Sequence, residues 1–320
     1  MWSKYPDVAR ELEKVENYIK NSMRSRNKLL TNVSRELIES GGKRLRPAFV
    51  ILSSKFGNYD SKKIVSAAAA LEILHTATLV HDDIIDRSKL RRGKVTVSEK
   101  YGADMAVYTG DFLFTKSVLM LSKDIPVDKL EQVAGALKTI CEGEVDQYQD
   151  RFNIDVSVLS YIKRIRRKTA VLFAAACSLG ADLAECTRDI VRGLARFGLS
   201  YGMAFQIRDD LNDFLSDPSI TGKPVGNDIS KGVITLPVIY TLKKNRAFNS
   251  KLSEFIDRDG KMTVGDFQEI IHMVKDAGGI EYSVELLKKY INKGLTLLEN
   301  LPDNQSRAIL SHMVKKLEIN

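Results

Sequence analysis

The chain has 320 residues, of which 44% are hydrophobic and 28% charged, and it carries a formal net charge of +8. That balance is ordinary for a globular protein able to bury a large core, and it excludes a mainly disordered chain. Three cysteines, Cys141, Cys177 and Cys186, are odd in number and lack CxxC spacing, which excludes a disulfide framework or a zinc site and leaves reduced core thiols.

Apolar residues recur at spacings of three and four, and strand-like alternation is almost absent, so the expected fold class is all-α. Helices are predicted over Pro6–Ser22, Asn27–Ser40, Arg46–Phe56, Ser61–Ser88, Ala103–Leu121, Val127–Gln149, Ser157–Leu179 and Thr187–Leu215, with four or five shorter ones beyond Ile229. Gly41-Gly42 ends one helix, Arg46-Pro47 opens the next with proline at a tolerated first-turn position, and Asp217-Pro218 marks another stop. No Pro/Gly/Ser-rich linker or composition break divides the sequence, so residues 1–320 read as a single domain. The apolar stretch from Ala67 to Val80 is interrupted by Glu72 and His75 and falls short of the roughly 20 residues of a spanning helix. Met1-Trp2-Ser3-Lys4-Tyr5-Pro6 has no signal-peptide core, so a cytoplasmic, non-spanning protein is expected.

Two clusters share one spacing: Asp82-Asp83-Ile84-Ile85-Asp86 and Asp209-Asp210-Leu211-Asn212-Asp213. Helical residues four apart stack one above the other, so Asp82 with Asp86, and Asp209 with Asp213, each aim two carboxylates at one spot. The expectation is two carboxylate walls across a cavity. Both clusters fall near the C-terminal ends of long helices, where the helix dipole disfavours negative charge. A local conflict of this kind is expected where function overrides stability. Divalent hard cations offset such repulsion, and Mg²⁺ takes one or two carboxylates while phosphate oxygens and water fill its other positions. The motif therefore asks for a polyphosphate ligand.

The net positive charge admits a nucleic acid, an anionic membrane surface or an anionic small molecule as partner. Its distribution decides. Lys43, Arg44 and Arg46 lie at a turn opening a helix, Arg91-Arg92 follows the first acidic cluster, Arg166-Arg167-Lys168-Thr169 lies mid-helix, and Lys223 follows the second cluster. These groups sit among carboxylates and form no stripe with interleaved aromatics, so nucleic-acid binding ranks last. Several cationic forks beside two carboxylate walls suit more than one diphosphate.

The segments GGKRLRP, EILHTATLVHDDIIDRSKLRRGK, RRKTAVLF and FQIRDDLNDFLSDPSITGKPVGNDISKG occur in that order. Together they resemble the trans-type isoprenyl diphosphate synthases, from about Gly41 to Leu236 and more weakly over both ends. One DDxxD alone is weak evidence, but two with basic partners at suitable offsets are specific. TGDFLF, GEVDQYQDRF, YIKRIRRKTA and GKPVGNDISKGVITLP are most similar to the catalytic large component of two-component heptaprenyl and hexaprenyl diphosphate synthases.

The resemblance implies a single-domain helical bundle of isoprenoid synthase type around a deep central cavity, and a chain-elongating prenyl transfer. An allylic diphosphate, farnesyl or geranylgeranyl, ionises, and the double bond of isopentenyl diphosphate attacks the cation. By motif position, Asp82 and Asp86 would coordinate two Mg²⁺ ions and Asp209 a third, with Asp83, Asp210 and Asp213 as further ligands or supporting groups. Arg91, Lys168, Lys223 and Lys231 would hold the allylic diphosphate, and Lys43, Arg46, His75 and Arg92 would hold isopentenyl diphosphate without metal. Thr169 and Gln206 match positions beside the developing cation. No side-chain general base is assigned, because the departing diphosphate takes the proton in the family.

Blander readings stand beside these. His75 on an apolar face is more often a satisfied core histidine, and only its motif position raises it. His81 reads as a helix-end or supporting residue, Arg166 and Arg167 as salt-bridged groups, Glu144 and Gln147 as polar packing or as the border of the metal site, and Lys315-Lys316 as a solvated face.

Product length is expected to be set beneath the first cluster, by Thr78, Ala77, Leu74 and then Ala70 on the same helix face. Ala77 lies roughly 7.5 Å and Leu74 roughly 12 Å below the metals at about 1.5 Å rise per residue. Bulky aromatics close this level in short-chain members of the family. Ala77 and Thr78 leave it open, which implies a long product, beyond geranylgeranyl, with Leu74, Leu137 or Ile140 as floor; the resemblance to the two-component synthases implies a hexa- to heptaprenyl chain, for a quinone such as menaquinone. Competing readings are a shorter-chain geranylgeranyl synthase, a terpene cyclase and a non-catalytic helical subunit. The resemblance also implies a homodimer or a heteromer with a small regulatory subunit, and at most a transient membrane-surface contact.

Overall fold

The structure, a computed structural model, describes residues 1–215, 227–257 and 263–319. They fall into two compact units, Met1–Ala134 with Ala175–Ala195, and Gly135–Ala174 with Arg196–Asn320.

In the first unit, α1 (Pro6–Ser22) starts on Pro6, whose fixed φ suits a first helical turn. The next helix, α2 (Lys28–Glu39), is capped by Asn27, whose side chain accepts from the Leu30 N–H at 3.1 Å. α3 (Leu45–Ser54) is followed by α4 (Ser61–Ile85), capped by Asp60. α4 is apolar on all sides, with Ala67, Ala68, Ala69 and Ala70 at most 2% exposed, as expected of a central helix packed all round. It meets α1, α3, a short helix α5 (Val97–Tyr101) and α6 (Ala103–Asp124). By length and composition α4 could cross a membrane, but 72% of its apolar window is buried inside the protein, so it serves as a core helix. Helix α7 (Val127–Gln149) begins in this unit.

The second unit holds the rest of α7, then α8 (Val158–Ile165), a π-helical turn (Arg166–Ala170) and the start of α9 (Val171–Leu183). α10 (Arg188–Leu215) runs into this unit from Arg196. It is followed by α11 (Asn227–Ser230), α12 (Leu236–Lys244), α13 (Arg246–Asp257), α14 (Val264–Asp276), α15 (Gly279–Glu299) and α16 (Gln305–Lys315). Phe173, Tyr201 and Phe205 pack ring on ring at centroid distances of 5.1 to 6.2 Å.

The all-α expectation holds, and some details differ from the sequence reading. The helix predicted over Ser157–Leu179 is broken by the π turn. The helix predicted to reach Ser88 stops at Ile85, because Arg87 takes φ +48°. A two-stranded hairpin, β1 (Leu90–Arg91) with β2 (Lys94–Val95), follows that stop.

Candidate active site

At the end of α4, Asp86 is the cap residue and its N–H donates to the Asp82 carbonyl at 2.8 Å. Asp82 and Asp86 thus keep the one-turn spacing read from the sequence. Asp83 is different: it is buried, and its carboxylate accepts a 2.7 Å hydrogen bond from Arg91 Nε. Arg91 is delivered by the hairpin, in which Leu90 pairs with Val95 and Arg91 with Lys94. Its two-residue tip, Arg92-Gly93, has φ +53° and +76°, the left-handed pair that a type I′ turn requires. Thr96 staples the base of the hairpin, donating its hydroxyl to the Ser88 carbonyl and its N–H to the Lys89 carbonyl.

The tip carries Arg92 onto the Gly41-Gly42 turn, where Arg92 Nη1 donates to the Gly41 carbonyl. A Cβ on Gly42 would stand 2.6 Å from that nitrogen, so a glycine leaves the berth open. Two residues on, Arg44 has φ +49° and is buried; it bonds Glu16, Glu72 (2.9 Å) and the Ile38 carbonyl (3.0 Å), which fixes the turn between Lys43 and Arg46. Arg44 is therefore structural, whereas the sequence showed only three adjacent cations. His75 sits among these arginines. Burial, then the charges of Arg46, Arg92, Arg91 and Arg44, push its pKa well below the ordinary histidine value, so it is neutral near pH 7. Lys43 is exposed. His81 Nε2 lies 3.4 Å from an Asp111 carboxylate oxygen.

In the second unit the π turn presents Lys168 and Thr169. Gly143 of α7 and Gly202 of α10 flank it so closely that a Cβ on the first would meet Arg167 Cβ at 2.7 Å, and on the second Ala170 Cα at 2.5 Å. π turns concentrate at functional sites, and neither this one nor its two glycine contacts leaves a periodic signal in the sequence. Lys168 Nζ donates to Glu144 at 2.7 Å, and Arg167 pairs with Asp146 at 2.7 Å.

The second aspartate motif lies in the last turns of α10. Asp209 is exposed, while Asp210 is buried and accepts from Tyr161 Oη at 2.7 Å and Gln206 Nε2 at 2.8 Å. Gln206 Oε1 in turn accepts from the Thr169 hydroxyl at 2.7 Å. Burial raises the Asp210 pKa, those two donors lower it, and Asp209 adds to the rise; the net direction is upward. The Asp213 carboxylate accepts from the Asp228 N–H at 3.2 Å. Asp228 was not singled out from the sequence, although it lies in the quoted GNDISKG segment. Burial, with Asp213, Asp210 and Asp209 alongside, pushes it up to about 8, and Lys231 eases that rise. Lys223 and Asp217-Pro218 lie outside the described residues.

Beneath the first motif, Ala77, Leu74 and Ala70 are buried and Thr78 is half-buried, with its hydroxyl donating to the His75 carbonyl. No group of three or more His, Cys, Asp or Glu side chains gathers as a metal cage among the described residues. The donors present are hard carboxylate oxygens at paired positions, which suits Mg²⁺ completed by phosphate oxygens and water.

An all-α fold carrying two DDxxD motifs with arginine and lysine partners defines a class of diphosphate-handling enzyme. The polyprenyl synthetase family profile matches residues 27–274. Component 2 of heptaprenyl diphosphate synthase from Geobacillus stearothermophilus is 38% identical over 307 residues, covering 96% of this chain and 94% of that protein. The crystal structure of heptaprenyl diphosphate synthase from Staphylococcus aureus superposes with a TM-score of 0.92 at 37% identity, covering 97% of each chain. That of a Caulobacter crescentus polyprenyl synthase complexed with calcium and isoprenyl diphosphate gives 0.91 at 31% identity, covering 97% of this chain and 94% of the other. The chain belongs to the polyprenyl synthetase family. It is a transferase of that family.

Proposed function

We propose that the protein is a Mg²⁺-dependent trans-prenyltransferase that adds isopentenyl units to an allylic diphosphate and makes a long all-trans product, hexa- to heptaprenyl. The observation that carries this reading is the cluster of Arg46, Arg91 and Arg92 around the half-buried His75, close enough for their charges to act on its ring. It supports an anion site without metal, held by the same hairpin that serves the first DDxxD. A terpene cyclase needs one diphosphate site, whereas chain elongation needs two. A non-catalytic subunit has no use for either.

In this reading Asp82, Asp86 and Asp209 carry three Mg²⁺ ions, and Asp83 and Asp213 support them. Bound Mg²⁺ neutralises the charge that builds on the departing diphosphate. Arg91, Lys168, Lys223 and Lys231 hold that diphosphate, and their fixed positive charge favours C–O cleavage. Lys43, Arg46, Arg92 and His75 hold isopentenyl diphosphate and aim its double bond at the allylic carbon. Thr169 and Gln206 place oxygen dipoles beside the positive charge. The bound calcium and isoprenyl diphosphate of the Caulobacter protein support a joint cation–diphosphate site.

The heptaprenyl names of the relatives, together with the small Ala77, support a long product, of the length used in quinone side chains. The component 2 relative supports a second, small subunit as partner. The test is incubation with isopentenyl and farnesyl diphosphates, with Mg²⁺ or with chelator, followed by diphosphate release and product length. Release that depends on Mg²⁺ with products beyond C20 is expected. No turnover, with or without a small partner subunit, would remove the proposal, and a product stopping at C20 would remove its chain-length part.

A further inference from the structure

Four side chains in the second unit form a hydrogen-bond chain that converges on Asp210: Thr169 Oγ1 to Gln206 Oε1 (2.7 Å), Gln206 Nε2 to Asp210 Oδ1 (2.8 Å), and Tyr161 Oη to Asp210 Oδ2 (2.7 Å). We propose that Asp210 and Tyr161 are positioning residues that set the polarity of the Gln206–Thr169 pair, with Asp210 serving this carboxamide rather than a metal ion. The inference deepens the prenyl-transfer reading and rests on it.

A carboxylate has only lone pairs, so the Gln206 carboxamide must turn its NH₂ toward Asp210 and its oxygen toward Thr169. The Thr169 hydroxyl must then donate to that oxygen. Its own lone pairs are left outward, and two oxygens with their negative ends together mark the spot where positive charge develops. A flipped carboxamide would instead set its oxygen against the carboxylate and turn its N–H groups toward Thr169, placing positive dipole ends where the cation forms. Both Asp210 oxygens are already engaged, one by Gln206 and one by Tyr161.

Tyr161 is locked in turn. It is wholly buried, and the Arg164 guanidinium lies 5.6 Å over its ring. Arg164 is buried as well and donates to the Ile234 carbonyl at 2.6 Å, so its place is set by backbone. The phenol O–H donates to Asp210 Oδ2 at 2.7 Å, which holds the carboxylate plane, and the plane holds the carboxamide. Tyr161 and Arg164 lie in the YIKRIRRKTA segment, where the sequence alone assigned neither of them a role.

The test compares Tyr161→Phe, Gln206→Leu and the double variant for kcat, for KM of both diphosphates and for thermal midpoint, and adds Asp210→Asn for calorimetric binding of Mg²⁺ with inorganic diphosphate. The chain predicts that Tyr161→Phe lowers kcat about tenfold with both KM values within about twofold, and Gln206→Leu lowers kcat about 10²-fold. The double variant should match Gln206→Leu to within about twofold, because the tyrosine acts only through the glutamine. Asp210→Asn should bind Mg²⁺-diphosphate to within about threefold of the wild type. Multiplying losses in the double variant, an unchanged kcat for Tyr161→Phe, or loss of Mg²⁺-diphosphate binding in Asp210→Asn would overturn the proposal. The binding arm decides even if Tyr161→Phe fails to fold. Failure of the wild type to turn over would strike the underlying prenyl-transfer reading instead.

Discussion

The middle aspartates of the two DDxxD motifs have the same spacing and the same burial, yet each unit satisfies its own differently. Asp83 is held by a cation, Arg91, brought to it by a hairpin. Asp210 is held by two neutral donors, Tyr161 and Gln206, brought by α8 and by the preceding turn of its own helix. A charged partner makes Asp83 a brace for the Arg91 arm, to which the proposed function gives a diphosphate. Neutral partners make Asp210 a brace for dipoles. Identical motifs can therefore do different work, and the difference lies in what each middle carboxylate meets.

The largest expected effect leaves the middle positions alone. Asp82→Ala should lower turnover about 10³-fold while changing the thermal midpoint little, since Asp82 is half-exposed and its proposed role is at the diphosphate; steady-state diphosphate release checks this. A product-length effect comes next. Ala77→Phe should shorten the product drastically and Leu74→Gly lengthen it, read by chromatography of the dephosphorylated products. Unchanged lengths in both would remove the pocket from this face of α4. Both sites are buried, so Leu74→Gly should also cost roughly 2–5 kcal/mol of stability.

The acidic end of the second unit should also show in pH-dependent stability. Asp228 has a folded pKa raised to about 8, above that of an unfolded aspartate. Its favourable contribution is thus present below the unfolded value and is lost as pH rises through about 8. The metal-free protein should lose thermal midpoint by a few degrees between pH 6 and about 8.5, and Asp228→Asn should flatten that slope. Smallest is a labelling difference. Burial raises Cys177 to about 12, whereas Cys141 is exposed, so a thiol reagent should modify Cys141 and spare Cys177 in the folded protein.

The helices were legible because each leaves a repeating apolar pattern and a chemical start: Pro6, Asn27, Ser61 and Ser157 all stand where the sequence placed a helix beginning. What escaped was structure without a repeat. A hairpin of two residues per strand cannot show alternation, although Arg92-Gly93 followed by Lys94 gave its turn chemistry. The π turn inserts one residue per turn into an otherwise helical run, which composition does not register. In the site, the cations were visible but not their division of labour. Arg44, Lys43 and Arg46 read alike until burial made Arg44 the structural one. Tyr161 and Asp228 lie 49 and 15 residues from their aspartate partners, and only folding brings them together.

The contrast between the two middle aspartates is tested most directly by measuring kcat and KM for farnesyl diphosphate in Asp83→Asn and Asp210→Asn side by side at saturating Mg²⁺. Asp83→Asn should raise KM about tenfold with kcat nearly unchanged, because it loosens the Arg91 arm. Asp210→Asn should lower kcat about 10²-fold with KM nearly unchanged, because it lets the Gln206 carboxamide turn over. The same change in both variants would contradict the account.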